Sequence, residues 1–418
     1  VMQSETNHVS RSKSSRILIY SHDTFGLGHL RRCRTIAHHL VEQHKHLTVL
    51  ILSGSPIIGS FDFRTRVDFV RVPGVIKLRN GEYTSLSLHM DIEETLMLRS
   101  SIIKHTASIF DPDIFIVDKE PIGLRGEVKE TLEMLKERGT RLILGLRDVM
   151  DEPNMLVAEW RSKNVRPVLE ELYDEIWVYG LPQICNPLEM MQLSEKTQRK
   201  IVYTGYLPRQ VGAATGLPDL DIVKRPYLLA TTGGGGDGEA MIDWVLSAYE
   251  TDPLLPYPVL LVLGPFMAPE VRARFAKRAS LLDRVGCITF DPHLESLITH
   301  AAGVVAMGGY NTFCEILSFD KRALIIPREK PRLEQRIRAS KASELGLANV
   351  LLDDGKRDPA KMVAALRAMP KQNLPSEVVV PGLLEGLSNV NRRMTPWLHR
   401  DGLPGASNKI VHKLVDEA

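Results

Sequence analysis

Short apolar runs rich in β-branched residues alternate with longer segments of helical periodicity along most of this chain. The first unit is the clearest, with an apolar run at 16–20, a loop, a helical pattern at 30–43 and a second apolar run at 48–52. A strand, a crossover helix and a second strand form a βαβ unit, in which the two strands are parallel. The alternation therefore predicts the α/β class, built on doubly wound parallel sheets.

The same pattern recurs on both sides of a stretch without periodicity. Before this stretch we predict strands at 67–72, 113–117, 141–146, 175–178 and 200–204, with helices at 91–109, 125–138 and 163–172. After it we predict strands at 227–230, 259–263, 286–290, 303–306 and 322–326, with helices at 239–249, 269–281, 294–301, 311–319 and 333–345. Glycine and proline crowd the stretch itself, 206–226, which is typical of an interdomain linker.

Two similar halves joined by one linker predict two Rossmann-like domains that face a cleft. We expect the first domain at 16–205 and the second at 227–380, with a disordered tail at 1–15 and a helix with a polar tail at 381–418. Ligands of open α/β sheets bind beyond the carboxyl ends of the strands. A functional site is therefore expected where the strands of both domains end, at the cleft.

The charged residues nearly cancel, because 53 Lys and Arg face 51 Asp and Glu and leave a net charge of +2. No global attraction to nucleic acid or to an anionic membrane follows, so we expect no nucleic-acid partner. The composition excludes a disordered or collagen-like chain. The four cysteines are scattered, no apolar run has membrane-span length, and the polar start lacks the apolar core of a secretory signal. We therefore expect a cytoplasmic protein.

The loop after the first predicted strand, residues 23–29, reads Asp-Thr-Phe-Gly-Leu-Gly-His. Gly26 and Gly28 allow a tight turn and a close approach to a ligand, and His29 enters the first turn of the following helix. A histidine at the mouth of the cleft can act as a general base, since its pKa lies near neutrality. The alternative is a plain turn in which His29 caps the helix.

Charged residues end two other strands of the first domain. Asp118 follows the strand at 113–117, so its carboxylate could accept a hydrogen bond from His29 and stabilise the imidazolium that forms on proton abstraction. A helix N-cap or a salt bridge to Lys119 or Arg125 is the alternative for Asp118. Arg147 and Asp148 follow the strand at 141–146, where they could hold an acceptor or merely pair within a loop.

Residues 231–238 read Thr-Thr-Gly-Gly-Gly-Gly-Asp-Gly and lead from a predicted strand into a helix. Backbone N–H groups at such a helix start can cradle a diphosphate, which makes Gly233, Gly234 and Gly235 candidate contacts, although a flexible turn is the alternative. The segment lacks the Gly-Lys-Ser/Thr of a P-loop, and Arg31 stands where a dinucleotide fingerprint needs its third glycine. Both NTP hydrolysis and NAD binding are therefore disfavoured.

The most informative segments are 307–315, Met-Gly-Gly-Tyr-Asn-Thr-Phe-Cys-Glu, and 327–335, Pro-Arg-Glu-Lys-Pro-Arg-Leu-Glu-Gln. The first is another glycine turn into a helix, where Glu315 could accept hydrogen bonds from both hydroxyls of a ribose. A solvated helix residue is the alternative for Glu315. Together the segments supply the candidate contacts to a nucleotide sugar: Gly308, Gly309, Asn311, Thr312, Glu315, Glu334 and Gln335.

Taken together, these segments resemble the GT-B glycosyltransferases, particularly the bacterial peptidoglycan N-acetylglucosaminyltransferases that act on a lipid-linked precursor. The resemblance spans most of residues 16–352. Its motifs are the loop at 26–29, the loop at 233–238, the pattern Gly308-Gly309-x-x-Thr312-x-x-Glu315 and the pair Glu334-Gln335.

The resemblance implies an inverting, metal-independent transfer of a sugar from a nucleotide diphosphate sugar, with a UDP-sugar favoured, to an acceptor hydroxyl. No cofactor and no metal are expected. In such enzymes the residue that matches Glu315 holds the ribose, the one that matches Gln335 contacts the sugar, and the glycine loops hold the diphosphate. The histidine that matches His29 deprotonates the acceptor in related plant-type enzymes, supported by an aspartate placed like Asp118.

The acceptor side departs from the family pattern, since Glu334 replaces the usual Asp or Asn and the acceptor-binding segments have no clear match. The acceptor could be a small molecule, a glycan or a lipid-linked molecule, with at most peripheral contact at the inner membrane face. Arg31 and Arg32 could contribute to such contact. We favour the interpretation that they are solvated helix residues that pair with acidic neighbours.

Two other functions stay open at the level of the sequence. A nucleotide-sugar 2-epimerase of the same fold would need no second substrate. A non-catalytic nucleotide-sugar binding protein would keep Glu315 without turnover. Product analysis with and without an acceptor separates the three hypotheses.

Overall fold

The computed structural model describes residues 14–22, 28–78, 82–211, 216–233, 236–291 and 293–398. The described residues of the N-terminal half contain these strands: β1 (Ser15–Ser21), β2 (Leu47–Ser53), β3 (Val67–Arg71), β4 (Val75–Lys77), β5 (Tyr83–Ser85), β6 (Ile114–Asp118), β7 (Arg141–Arg147), β8 (Glu175–Tyr179) and β9 (Ile201–Tyr203). They are accompanied by these helices: α1 (Gly28–Gln43), α2 (Ile92–Phe110), α3 (Lys129–Glu137), α4 (Pro153–Ser162), α5 (Arg166–Glu171) and α6 (Glu195–Gln198).

The described residues of the C-terminal half follow the same plan. Its strands are β10 (Leu228–Thr231), β11 (Val259–Val262), β12 (Val285–Ile288), β13 (Gly303–Ala306), β14 (Ala323–Ile325) and β15 (Asn349–Val350). Its helices are α7 (Glu239–Thr251), α8 (Pro269–Ser280), α9 (Leu294–His300), α10 (Tyr310–Ser318), α11 (Glu334–Glu344), α12 (Pro359–Ala368) and α13 (Gly386–Leu398).

Each half forms one parallel sheet. The first has the order β3-β2-β1-β6-β7-β8-β9 and the second the order β12-β11-β10-β13-β14-β15. The central strands are buried continuously, as expected when helices cover both faces of a sheet. The order reverses beside β1 and beside β10, and ligands bind at such switch points in open α/β sheets. The predicted fold class of two Rossmann-like domains is confirmed.

The strand predictions agree with the structure to within about two residues, and the clearest difference concerns the helix expected at 163–172. The helix α5 occupies this region, whereas α4 ends before it, at Ser162, and was not predicted. Asn164, with a left-handed backbone (φ 51°), separates the two helices, and Pro167 lies in the first turn of α5. The hairpin of β4 with β5 and the helix α12 were not predicted. The expectations for the chain tails fall largely outside the described residues.

The last described helix, α13, returns to the N-terminal half. The hydroxyl of Ser15 donates to the carbonyl of Leu398 at 2.7 Å, and Asn391 lies 2.6 Å from the Nε2 atom of His44. The chain therefore crosses between the two halves twice. Within the described part of the chain, no helix combines the length and the apolar character needed to cross a bilayer.

Candidate functional site

His29 and Asp118 meet at the carboxyl edge of the first sheet. Asp118 is the last residue of β6, and His29 lies in the first turn of α1, so the parallel order of β1 and β6 brings them together. The Nδ1 atom of His29 is 2.5 Å from Oδ2 of Asp118, which is 2% exposed. When Nδ1 donates to the carboxylate, Nε2 is the ring nitrogen that can accept a proton.

Arg32 completes this cluster, one helical turn after His29. It donates to Oδ1 of Asp118 from Nε at 2.9 Å and from Nη2 at 2.6 Å, and its guanidinium packs over the rings of Tyr179 and Tyr310. The expectation that Arg32 is solvated is wrong, since it is 1% exposed. A buried carboxylate is stable only when it is paired and hydrogen-bonded, and Arg32 supplies that partner.

The cluster keeps Asp118 charged and His29 neutral. Burial alone would raise the pKa of Asp118, but Arg32 and His29 outweigh it, so this pKa is lowered. Burial lowers the pKa of His29; Asp118 opposes this effect, whereas Arg32, with Nη2 only 3.0 Å from Nδ1 of the ring, adds to it. A neutral imidazole beside an ionised carboxylate is the form in which a histidine can take up a proton.

Two further residues lie at this edge for which the sequence had predicted no role in the site. His22 directly follows β1, is 6% exposed, and sets its ring edge-on to that of His29 at a centroid distance of 5.8 Å. Burial, with Lys119 and His29, lowers the pKa of His22 well below its usual value. Lys119 directly follows β6, and burial lowers its pKa to about 8. Their position at strand ends is the signal that could have found them.

Asp148 pairs across the two halves rather than facing a ligand. Its carboxylate accepts two hydrogen bonds from Arg338 of α11, both at 2.8 Å, and one from the hydroxyl of Tyr206 at 2.5 Å. Asp148 and Arg338 are both fully buried. This pairing corrects the expectation that Asp148 is available to an acceptor, and it fastens the end of β7 to α11.

Arg147 also reaches across the cleft. Its guanidinium lies 3.0 Å from Glu334, the first residue of α11, and Glu334 is 3.4 Å from Arg328 as well. Burial would raise the pKa of Glu334, but Arg147 and Arg338 outweigh it. Arg147, for which an acceptor contact and a loop pair were both open, therefore neutralises the charge of Glu334, a predicted contact to the nucleotide sugar.

The start of α10 lies against the start of α1. A Cβ atom on Gly28 would lie 3.1 Å from the Nδ2 atom of Asn311, so the first residue of α1 is close to the first turn of α10. Arg209, which follows β9, donates to Asn311 at 2.8 Å and to the hydroxyl of Thr35 in α1 at 2.8 Å. Arg209 thus places a cation beside the predicted phosphate contact, and no motif had indicated it.

Glu315 lies one turn further along α10 and is 5% exposed. Its nearest cation is Arg31 of α1, whose Nη1 atom is 3.8 Å away, and Arg31 also lies 3.6 Å from Glu295. Burial raises the pKa of Glu315 to about 7, and Arg31 opposes this rise only in part. The acidic neighbours expected for Arg31 are therefore on the C-terminal half of the molecule.

Comparison with models of known protein families finds a match in the C-terminal half of the chain. Residues 228–377 match the model of the glycosyltransferase family 28 C-terminal domain. Over 347 residues, which cover 78% of this chain and 83% of the relative, the chain is 26% identical to an uncharacterized glycosyltransferase of Methanosarcina acetivorans. The chain is a glycosyltransferase with the GT-B fold.

Solved structures of this fold superpose on nearly the whole glycosyltransferase. MurG of Acinetobacter baumannii has a TM-score of 0.56 at 11% identity, with 92% of this chain and 99% of that chain covered. UGT2 of Phytolacca americana, complexed with UDP-2-fluoro-glucose and pterostilbene, has a TM-score of 0.60 at 12% identity, with 92% and 94% covered. At these identities the similarity establishes the fold alone.

The other predicted donor contacts of the glycosyltransferase lie on the C-terminal half. Gly308 has a left-handed backbone (φ 82°), and a Cβ there would lie 2.8 Å from Ile325, so only glycine fits before the N-cap Gly309. Gln335 is 7% exposed and accepts a hydrogen bond from the backbone N–H of Arg328 at 3.0 Å. Thr312 is half-buried on α10.

The glycine loop after β10 is described only in part. Gly233 adopts a positive φ of 65° directly after Thr232. Gly26, Gly234 and Gly235, which were predicted to contact the donor, lie outside the described residues. The individual roles of all these residues in the glycosyltransferase stay predictions.

Proposed function

We propose that this chain transfers a sugar from a UDP-sugar to an acceptor hydroxyl, with inversion at the anomeric carbon and without a metal. The observation that carries the proposal is the 2.5 Å contact between His29, at the start of α1, and Asp118. The same helix turn also holds Arg31, which lies 3.8 Å from Glu315. The base and the predicted ribose contact therefore lie on facing elements of one cleft. The UDP-2-fluoro-glucose bound to the Phytolacca americana neighbour supports a UDP-sugar as donor.

The geometry suggests a single displacement. Nε2 of His29 takes the proton of the acceptor hydroxyl while the oxygen attacks the anomeric carbon. The bond from that carbon to the diphosphate oxygen breaks, and its electron pair leaves with the diphosphate. Asp118 stabilises the imidazolium, and attack opposite to the leaving group inverts the configuration.

Backbone groups and Arg209 are proposed to stabilise the leaving diphosphate. The first N–H groups of α10 follow Gly309 without a side-chain cap, and the positive end of the helix dipole favours an anion there. Arg209 lies beside Asn311 at the same place. Because these groups supply positive potential, we expect the rate to be unchanged by a chelator such as EDTA.

The proposal keeps the donor contacts predicted from the sequence. Glu315 holds the ribose, Gln335 contacts the sugar, and the glycine loops contact the diphosphate. We also propose a cytoplasmic location, with at most peripheral membrane contact, and an acceptor that is a small molecule, a glycan or a lipid-linked molecule.

A donor screen followed by product analysis tests the proposed function. In a thermal-shift screen of UDP-, GDP-, ADP- and dTDP-sugars, a ligand at about 100 times its dissociation constant adds about 2.7 kcal/mol to stability. We expect the UDP-sugars to give the largest shift and nucleotide release to require an acceptor. A sugar altered at C2 without an acceptor would indicate epimerisation instead, and binding without turnover would indicate a non-catalytic binding protein.

The affinity for UDP-glucose should increase with pH near neutrality. Burial raises the pKa of Glu315 to about 7, and only the ionised carboxylate accepts hydrogen bonds from both ribose hydroxyls. Binding therefore favours the ionised form, so the dissociation constant should fall as the pH rises through this pKa. Isothermal titration calorimetry at a series of pH values measures this change.

The variant Glu315→Gln separates this effect from other titrations. It should bind UDP-glucose about tenfold more weakly, because its neutral amide is a poorer acceptor than a carboxylate. It should also lose the pH dependence. Glu270→Gln, at an exposed position in α8, is the matched control and should behave as the wild type. An unchanged pH dependence in Glu315→Gln would contradict the assignment of Glu315.

Replacement of Arg32 should change the pH profile of the reaction. The charge of Arg32 lowers the pKa of His29, so Arg32→Gln should raise this pKa. A base with a higher pKa becomes protonated at higher pH, and the acidic limb of kcat/KM should therefore move to higher pH. Arg34 lies on the same helix but donates a hydrogen bond to the backbone carbonyl of Asp62. Arg34→Gln should therefore leave the acidic limb of kcat/KM at its wild-type pH.

A further inference from the structure

We propose that Lys119 is the centre of an anion-binding subsite in the acceptor half of the cleft, which takes a phosphate or carboxylate group carried by the acceptor. The subsite uses His22 and Arg147 as additional hydrogen-bond donors. This proposal rests on the proposed transferase function and specifies the chemical class of its acceptor.

The charge of Lys119 acts on both the proposed base, His29, and Glu334 at the start of α11. Lys119 directly follows Asp118, and its N–H donates to the carbonyl of Gly145 at 2.8 Å, which extends the pairing of β6 with β7 by one residue. Its charge lowers the pKa of His29 and that of Glu334. An acceptor placed between His29 and the sugar therefore lies within reach of Lys119.

The backbone of Lys119 is unusual for its residue type. Its φ of 68° lies in the left-handed region, which a lysine rarely adopts. Strained residues of this kind are concentrated at functional sites, where the surrounding structure holds them. The conformation is consistent with a side chain that is positioned for a ligand.

Neighbouring cations have close carboxylate partners, whereas Lys119 does not. Arg147 lies 3.0 Å from Glu334, Arg332 lies 3.4 Å from Asp151, and Lys163 lies 3.0 Å from Glu120. The nearest carboxylate to Lys119 within the described part of the chain is that same Glu120, at 3.9 Å, and Lys163 already donates to it. The side chain of Lys119 is only 18% exposed.

Two buried donors beside Lys119 also lack partners. Nδ1 of His22 and Nε of Arg147 are buried and make no hydrogen bond in the described structure. Because His22 is neutral, its ring carries one N–H, and Nδ1 can provide that proton to a ligand. Buried donors without partners are costly, and an oxyanion would satisfy both of them as well as Lys119.

Phosphate and carboxylate share the chemistry that this subsite recognises, since each offers several acceptor oxygens and a negative charge. The diphosphate of the donor is a separate anion, which the proposed function places at the start of α10. Lys119 belongs to the opposite half of the cleft and follows the strand that ends with Asp118. The geometry therefore assigns the subsite to the acceptor.

Direct binding of three small probes to the whole chain tests the proposal. With the donor site saturated by UDP, the dissociation constants of phenyl phosphate, benzoate and phenol are measured by isothermal titration calorimetry. We expect wild-type protein to bind the two anions at least tenfold more tightly than phenol. Lys119→Gln should abolish this preference, and Lys119→Arg should retain most of it.

Lys104→Gln is the matched control, because Lys104 is exposed on α2 and paired with Glu130. It should bind all three probes as the wild type does. Equal affinities for the anions and phenol in the wild type, or an unchanged preference in Lys119→Gln, would overturn the proposal. A preference for phenyl phosphate over benzoate would indicate that the acceptor group is a phosphate, and the reverse order a carboxylate.

Failure of the proposed transferase function and failure of the anion subsite give different results in these experiments. If UDP does not bind to the wild type, the proposed donor site is wrong, whatever the probes do. If UDP binds and a UDP-sugar transfers its sugar to an acceptor, but Lys119→Gln raises the KM of the donor alone, the anion subsite is wrong and the transferase function stands.

Discussion

Replacement of His29 by alanine is expected to lower kcat by about 10²- to 10⁴-fold, the effect associated with loss of a general base. The dissociation constant of UDP-glucose should stay nearly unchanged, because most of the predicted donor contacts lie on α10, α11 and the loop after β10, and none of them uses the side chain of His29. Steady-state kinetics with a saturating acceptor and calorimetry with UDP-glucose measure the two effects separately.

Two further variants make this result specific. His105→Ala, at an exposed position of α2, should keep the wild-type rate and controls for the loss of any histidine. Asp118→Asn should also lower kcat, because a neutral amide cannot stabilise the imidazolium. Full activity in His29→Ala would remove His29 from the mechanism.

Replacement of Arg338 by alanine is expected to reduce the free energy of unfolding by about 3 to 5 kcal/mol. The reason is that the carboxylate of Asp148, which is fully buried, would lose two of its four hydrogen bonds and its counter-charge. Urea unfolding followed by circular dichroism measures the change, and a loss of cooperativity would show that the two halves have separated.

Arg367 provides the control for this experiment. It pairs with Asp252 at the surface, and exposed ion pairs contribute little to stability, so Arg367→Ala should unfold nearly as the wild type does. The double variant Asp148→Leu with Arg338→Met should recover much of the stability lost in the single variant, because it buries no charge. Wild-type stability in Arg338→Ala would contradict the buried pair.

The sequence predicts the parts of the structure that depend on local pattern. Apolar runs such as 16–20 and 113–117 become the central strands β1 and β6, because buried parallel strands are continuously apolar. The contact of Asp118 with His29 follows from the rule that the carboxyl ends of parallel strands meet at one edge.

Other parts depend on residues that are far apart in the chain. Arg32 looks like a solvated helix residue until the position of Asp118, 86 residues later, is known. Arg338 and Asp148 are 190 residues apart and belong to different halves of the chain, so no local pattern connects them. The break between α4 and α5 depends on one left-handed residue, Asn164, in a segment of helical composition.

The two segments that cross between the halves are joined to each other by hydrogen bonds. The N–H of Tyr206 donates to Leu383 at 2.8 Å, and the N–H of Gly386 donates to Tyr206 at 3.1 Å. The two crossings are therefore held as one unit, so that neither segment can separate from the other without breaking these hydrogen bonds.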